Sequence, residues 1–189
     1  MSSPTVNSPN NLPAPGVYTV DVIHSSVGFV ARHLVAAKVR GSFEEFSGTI
    51  TIGATVEESK VEAVVQASSI TTHQEQRDAH IKSADFLDME NHPDLTLTSN
   101  KITHRSGDFY DLEAELSVRG VTKKVVFDLE YLGSGPGVAP GVTVVGFEAR
   151  AEIDRREFNV NFEGTLENGA LVVGNKVIVE LAIEAFKQN

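Results

Sequence analysis

The side chains that could do chemistry are six histidines, a charged cluster at Arg77-Asp78-x-His80, and a basic stretch at Arg119, Lys123 and Lys124. Histidine suits acid–base work or metal ligation, and arginine suits a phosphate or carboxylate. The histidines are His24, His33, His73, His80, His92 and His104, and none falls in an HExxH pattern. On a helix, His73 and His80 would stand roughly 10 Å apart along the axis, too far to share a metal. Hydrogen-bonded structural histidines are the simpler reading, and no metal site is expected. Ser25 and Ser26 follow His24, but no serine lies in a GxSxG elbow, so a hydrolase is disfavoured. Cysteine is absent, which excludes thiolate nucleophiles, disulfides and cysteine-ligated metal clusters. Arg77 has two readings: it binds an anionic head group, or it pairs with a carboxylate and pins its helix. The basic residues around Gly120-Val121-Thr122 would receive a phosphate or simply charge a hairpin.

The elements that must position these groups are mostly strands. Tyr110, Leu112, Ala114, Leu116 and Val118 alternate with polar residues, as do Val125, Phe127, Leu129 and Tyr131. Further alternating rows are Val61 to Ser69, Phe147 to Ile153 and Val177 to Ile183. Period two puts one row on an apolar face and the other in water, so several such strands predict an antiparallel sandwich or barrel. One stretch breaks the pattern. Thr72 is read as the N-cap of a helix, with Glu75 completing a capping box, and Pro93 bars continuation. Gly28–Ala37 is a weaker helical candidate, and Gly133–Gly141 reads as a flexible hairpin loop.

The chain has 189 residues and suits one domain. Residues 1–16 hold four of the seven prolines and read as a flexible tail before a single domain at 17–189. The tail lacks the pattern of a secretory signal, so the expected compartment is the cytoplasm. No run of 18 apolar residues exists, and no membrane span is expected. The formal charge of −10 disfavours nucleic acid and broad attraction to anionic membranes, though a local basic patch could bind one anionic group. Small residues in the apolar rows (Ala63, Ala67, Ala114, Ala149 and Ala151) either leave a pocket or fit a taper beside bulky neighbours.

A series of motifs then appears in order. Tyr18-x-x-Asp21-x-x-His24-Ser25 leads through Val27-Gly28-Phe29 to His33-Leu34, followed by Gly41-Ser42-Phe43 and Phe46-Ser47-Gly48. The most specific segment is Ser69-Ile70-Thr71-Thr72 with Arg77-Asp78-x-His80-Ile81-Lys82-Ser83-x-Asp85-Phe86-Leu87-Asp88 and Pro93. Leu116 to Lys123, Gly146-Phe147-x-Ala149, Ile153-Asp154-Arg155 and Val173-Gly174-Asn175-x-Val177 complete it. From Tyr18 to about Ala185 the chain resembles the YceI-like, or polyisoprenoid-binding, family.

The resemblance implies an all-β fold: an eight-stranded antiparallel lipocalin-like barrel with a helix at about 72–88 near one end. It implies a tunnel for a long apolar chain such as a polyisoprenoid or isoprenoid quinone, and it moves the alanines towards the pocket reading. Expected lining residues are Phe29, Phe43, Phe46, Ala63, Ala67, Phe86, Phe127, Phe147, Ala149, Phe158 and Phe162. Head-group candidates are Arg77, His80, Arg119 and Lys123, with the helix as a lid. The expected activity is binding, storage or transport, with no catalysis and no cofactor; the partner is the lipid, and a homodimer is compatible with exposed strand faces. Two alternatives stay open: an enzyme acting on a bound apolar substrate, and a structural or stress-response protein whose barrel is filled by its own side chains.

Overall fold

The alternating rows pair into a single antiparallel sheet in the structure, a computed structural model that describes residues 12–34, 37–165 and 172–188. Its strand segments are β1 (Gly16–Val20), β2 (Ser26–His33), β3 (Ala37–Phe43), β4 (Phe46–Ile52), β5 (Lys60–Gln66) and β6 (Ile70–Thr71). A helix, α1 (Glu75–Lys82), precedes β7 (Asp94–Ser106), β8 (Phe109–Val118), β9 (Val121–Pro136), β10 (Thr143–Asp154) and β11 (Val173–Lys187). The short segments are halves of longer strands. β1 and β2 follow one another along β11, with Val20 opposite Ala185 and Ser26 opposite Ala182. β4 and β3 line up against β1 and β2 in the same way, and β5 and β6 against β4 and β3. Three interrupted strands and the five continuous ones, β7 to β11, make eight, and β11 pairs with both β10 and the β1/β2 couple. The ring therefore closes, which leaves no long unpaired edge.

The closed ring has two ends. One carries the β2–β3 turn, α1 and the segment up to Pro93, the β8–β9 turn, and the connection from β10 to β11. The other carries the start of β1, the β4–β5 and β9–β10 connections and the end of β11. Inward rows make the core: Leu112, Leu116, Phe127 and Ala151 are buried, and Phe158 joins them from a short 3-10 turn at Arg155–Phe158. Tyr18, Ile50, Ile52, Val145 and Ala185 form a second cluster.

Four local expectations differ from the structure. The helix does not reach from Thr72 to Asp88. Gln74 caps it, its side-chain oxygen accepting from the Arg77 amide at 2.5 Å, and the Ser83 hydroxyl turns back to the His80 carbonyl at 2.8 Å and ends it. Phe86 and Leu87 then enter the core from turns rather than from a helical stripe. Among its described residues Gly28–Ala37 is not helical, because Val27, Phe29 and Ala31 alternate towards the interior on β2. Gly133-Ser134-Gly135-Pro136 belongs to β9, paired with β10, and the loop begins only at Gly137. Gly133 has φ +121° beside the register shift at Gly146/Phe147, a conformation that a side chain would strain. Of residues 1–16, 1–11 lie outside the described residues, Pro13 is buried, and Gly16 already pairs with Ile52. The Tyr18 hydroxyl donates to the Ala14 carbonyl at 2.7 Å, which ties this entry segment down.

The buried Tyr131 hydroxyl has no hydrogen-bond partner among the described residues. An orphaned buried donor costs about 1–3 kcal/mol. Tyr131→Phe is therefore expected to hold or raise stability by up to ~1 kcal/mol in thermal unfolding. A clear loss of stability would mean the hydroxyl has a partner.

Candidate functional site

The barrel is not filled. Its interior holds a cavity of about 630 Å³ whose walls are almost entirely apolar. Val27, Phe29, Ala63, Leu97, Leu116, Phe127, Ala149, Val179 and Leu181 line it from all around the ring. The lining also runs lengthwise. Leu12, Pro13, Ile52 and Ser59 stand at one end, and Arg32, Gln74, Gln76, Arg77 and His80 at the other. Pro13, Ile52 and Ser59 are buried, whereas Arg32, Gln74, Gln76 and His80 are exposed. The end that carries α1 is therefore the mouth of a tunnel.

Backbone geometry shapes the tunnel wall at Phe29. Its ring crosses Gly41 on the neighbouring strand, where an added Cβ would lie 2.4 Å from the Phe29 Cζ. Only glycine leaves that space. Phe43 then packs against Phe29 with ring centroids 6.1 Å apart.

At the mouth, α1 is fixed by a polar knot. Asp78 accepts hydrogen bonds from the Thr72 amide at 2.8 Å, from the Thr72 hydroxyl, and from the Thr71 hydroxyl at 3.2 Å. Burial alone would raise the Asp78 carboxyl, but these bonds and nearby Arg77 outweigh it and hold it below the usual carboxylate range. Thr72 thus serves Asp78 instead of capping the helix. Arg77 donates through Nε to the Thr72 hydroxyl at 2.7 Å and through Nη2 to the Thr72 carbonyl at 3.0 Å. Its Nη1 has no hydrogen-bond partner among the described residues, and the side chain borders the cavity. His80 shares a hydrogen bond with Asp85 at 2.9 Å and sets its ring edge against Phe86 and Phe162 at 5.0 and 4.9 Å. His73 lies before the helix at φ +58°, so it does not share a helix face with His80.

Of the expected lining residues, Phe29, Phe43, Phe46, Ala63, Phe86, Phe127, Phe147, Ala149, Phe158 and Phe162 border the cavity. Ala67 does not: it is fully buried in a 3-10 turn, with its amide on the Pro93 carbonyl at 2.8 Å. Arg77 and His80 come together at the mouth, while Arg119 and Lys123 stay apart from the cavity lining. Arg119 sits in the two-residue turn between β8 and β9 and donates to the Phe86 carbonyl at 2.8 Å. Lys123 is exposed on β9. Asp21 and His24, 2.8 Å apart, close the step between β1 and β2 on the surface, near Glu184. His24 holds the Asp21 carboxyl below its ordinary value, and Asp21 raises His24 in turn.

Sequence reasoning did not single out Arg155, which is 5% exposed and touches the cavity. Its guanidinium donates to the carbonyls of Gly174, Val160 and Val173 and to the Asn175 Oδ1, at 2.5 to 3.4 Å. Burial pushes its pKa below the ordinary arginine value. The only signal was its place after Ile153-Asp154 at the end of a strand. The neighbouring Asp154 caps the 3-10 turn, accepting from the amide, Nε and Nη2 of Arg156. The Arg156 side chain leads in holding the Asp154 carboxyl at about 2. A carboxylate depressed in the folded state stabilises above its unfolded pKa of roughly 4. That contribution should be lost progressively as the pH falls from roughly 4 through about 2. A carboxyl-carbon NMR titration of Asp154 with an ordinary midpoint would contradict this.

Comparison with known proteins matches the YceI-like domain over residues 18–185. A UPF0312 protein of Staphylococcus aureus (strain MRSA252) is 33% identical over 171 residues, covering 88% of this chain and 95% of its own. The crystal structure of a YceI protein of Campylobacter jejuni is similar with a TM-score of 0.72 at 25% identity, over 84% of this chain and 90% of that one. A polyisoprenoid binding domain from Saccharophagus degradans is similar with a TM-score of 0.67 at 16% identity, over 90% of this chain and 98% of that one.

Proposed function

The chain belongs to the YceI-like domain family, and from that premise we propose that it binds and carries one long-chain amphiphile, a polyisoprenoid or isoprenoid quinone. The tail lies in the tunnel and the polar head stays at the mouth beside Arg77 and His80. The observation that carries this reading is the long apolar cavity of about 630 Å³ that opens beside α1. That volume falls within the roughly 300–1,000 Å³ typical of small-molecule sites. The name of the Saccharophagus degradans domain agrees with it.

Burying a methylene contributes about 0.8 kcal/mol, so a few isoprene units supply roughly 10 kcal/mol gross. Before ordering costs, that corresponds to roughly micromolar-to-nanomolar affinity. Selection by tail length then follows from the length of the tunnel. The reading is one of binding rather than chemistry on the ligand, because the cavity walls are almost entirely apolar and the carboxylate of Asp78 on α1 is engaged by Thr71 and Thr72. The test is equilibrium binding of polyprenyl phosphates and quinones graded by chain length. One ligand per chain is expected, with affinity rising per isoprene unit and then levelling off. Affinity indifferent to tail length would overturn the reading.

A further inference from the structure

The outer wall beside the mouth carries charge opposite to that of the chain as a whole. A groove over β2, β3, β10 and β11 is lined by Arg32, Lys38, Arg40, Arg150, Arg156 and Lys176. These are six of the 16 basic residues, whereas only three of the 26 acidic ones line it: Glu152, Asp154 and Glu180. Arg156 pairs with Asp154 and Lys176 with Glu152, both at 2.5 Å. Arg40 and Arg150 share the single carboxylate of Glu180 at 3.2 and 3.8 Å. Arg32 and Lys38 make no ion pair among the described residues. Asp128 stands opposite Arg150 on β9, but Arg105 engages it at 2.8 Å. The groove is therefore a net cation on a chain of formal charge −10.

Two further observations connect this groove with the tunnel. Arg32 borders both the groove and the cavity, so groove and mouth share a rim. Leu34, two residues on, is 40% exposed at the turn between β2 and β3. An apolar side chain beside a row of cations matches the layering of a bilayer surface, with phosphate outside and hydrocarbon beneath.

We propose that this groove docks the barrel on an anionic phospholipid surface with the tunnel mouth turned towards the bilayer. The proposal rests on the reading of the cargo as a long-chain lipid, which would then enter and leave without crossing water. The acidic remainder of the chain does not prevent docking. At physiological salt the Debye length is about 8 Å, so charge on the far side of the barrel is screened while groove cations at the surface are not. The acidic remainder of the chain favours this orientation.

The test is co-sedimentation of the full chain with phosphatidylcholine vesicles, with and without phosphatidylglycerol. Binding only to the anionic vesicles is expected, weakening as salt is raised. Lys38→Gln with Arg40→Gln removes two cations that do not line the tunnel. Each surface cation changes affinity roughly five-fold, so the double variant should bind anionic vesicles about 30-fold more weakly. Its uptake of a polyprenyl phosphate in solution should match that of the unaltered protein. Equal binding to both kinds of vesicle, or an unaffected double variant, would overturn the proposal. So would capture by polyglutamate without capture by vesicles, which would assign the groove to an acidic protein. Failure of uptake in solution with vesicle docking intact would instead sink the cargo reading and leave the surface standing.

Discussion

Ala149→Phe is expected to weaken binding of a polyprenyl ligand roughly a hundredfold while leaving a folded barrel. Ala149 projects inward from β10 between Leu129 and Leu181 on the flanking strands, and its small side chain leaves part of the tunnel open. A phenyl ring there would occupy the space of several methylenes of ligand tail. At about 0.8 kcal/mol each, losing three or four of them weakens binding roughly a hundredfold. The ring also costs some folding stability, about 1–3 kcal/mol for overpacking, which a protein of this size can tolerate. Ala63→Phe makes the same test from β5, opposite Gly48, where the neighbouring strand offers more room. Ligand binding by fluorescence and folding by circular dichroism would be measured on both variants. Undiminished uptake by two well-folded variants would mean that the ligand does not run past these positions.

The second large effect is expected at Arg155. Arg155→Met should lower stability by about 3–5 kcal/mol, because it leaves several buried or half-buried acceptors without a donor at about 1–3 kcal/mol each, partly offset by water. In a chain of this size that corresponds to a fall of roughly 10–15 °C in Tm. The affected region is the junction of the 3-10 turn after β10 with the start of β11, which the guanidinium joins through Val160, Val173, Gly174 and Asn175. Arg155→Lys should recover only part of the loss, since a lysine is a compact point donor and cannot span the four acceptors with a planar fork. Full stability of the lysine variant would show that charge alone, and not the fork, holds this end of the barrel.

Much of the barrel was legible because its strands obey a simple rule. Rows such as Tyr110 to Val118 face inward at every second residue, and the period of two survives whatever the partners are. The interruptions were less legible. Nothing in the composition of residues 21–25 or 44–45 announces that the flanking segments continue one barrel strand, since this depends on pairing with β11 and on pairing between β1/β2 and β3/β4. The glycines of β9 misled in the other direction. Gly133 and Gly135 read as a loop by type, yet cross-strand pairing with Gly146 and Val144 keeps them in the sheet. Likewise, Thr72 and Glu75 have the spacing of a capping box, but the Asp78 carboxylate competes for the Thr72 hydroxyl and wins.

The same logic sorts the site residues. Aromatic residues in the inward half of the alternating rows were readable as lining, because those positions face the interior of a closed sheet. Ala67 escaped that rule because β5 ends at Gln66 and Ala67 opens a 3-10 turn. Basic residues were harder to place. Arg77, Arg119 and Arg155 look alike in sequence, yet one borders the mouth, one ties a hairpin to the Phe86 carbonyl, and one braces the loops. Long side chains reach several acceptors, and only the tertiary packing decides which. The basic groove was invisible for a related reason: Arg32 and Lys176 are distant in sequence and meet only across β2 and β11.

The central claim is that the tunnel holds a long apolar chain. Native mass spectrometry of the gently purified protein, beside mass spectrometry of its organic extract, tests that most directly. The account predicts a one-to-one complex that releases a polyisoprenoid, an isoprenoid quinone or a closely similar long-chain lipid. Protein that carries no lipid and takes up none from a panel of polyprenyl phosphates and quinones would contradict it.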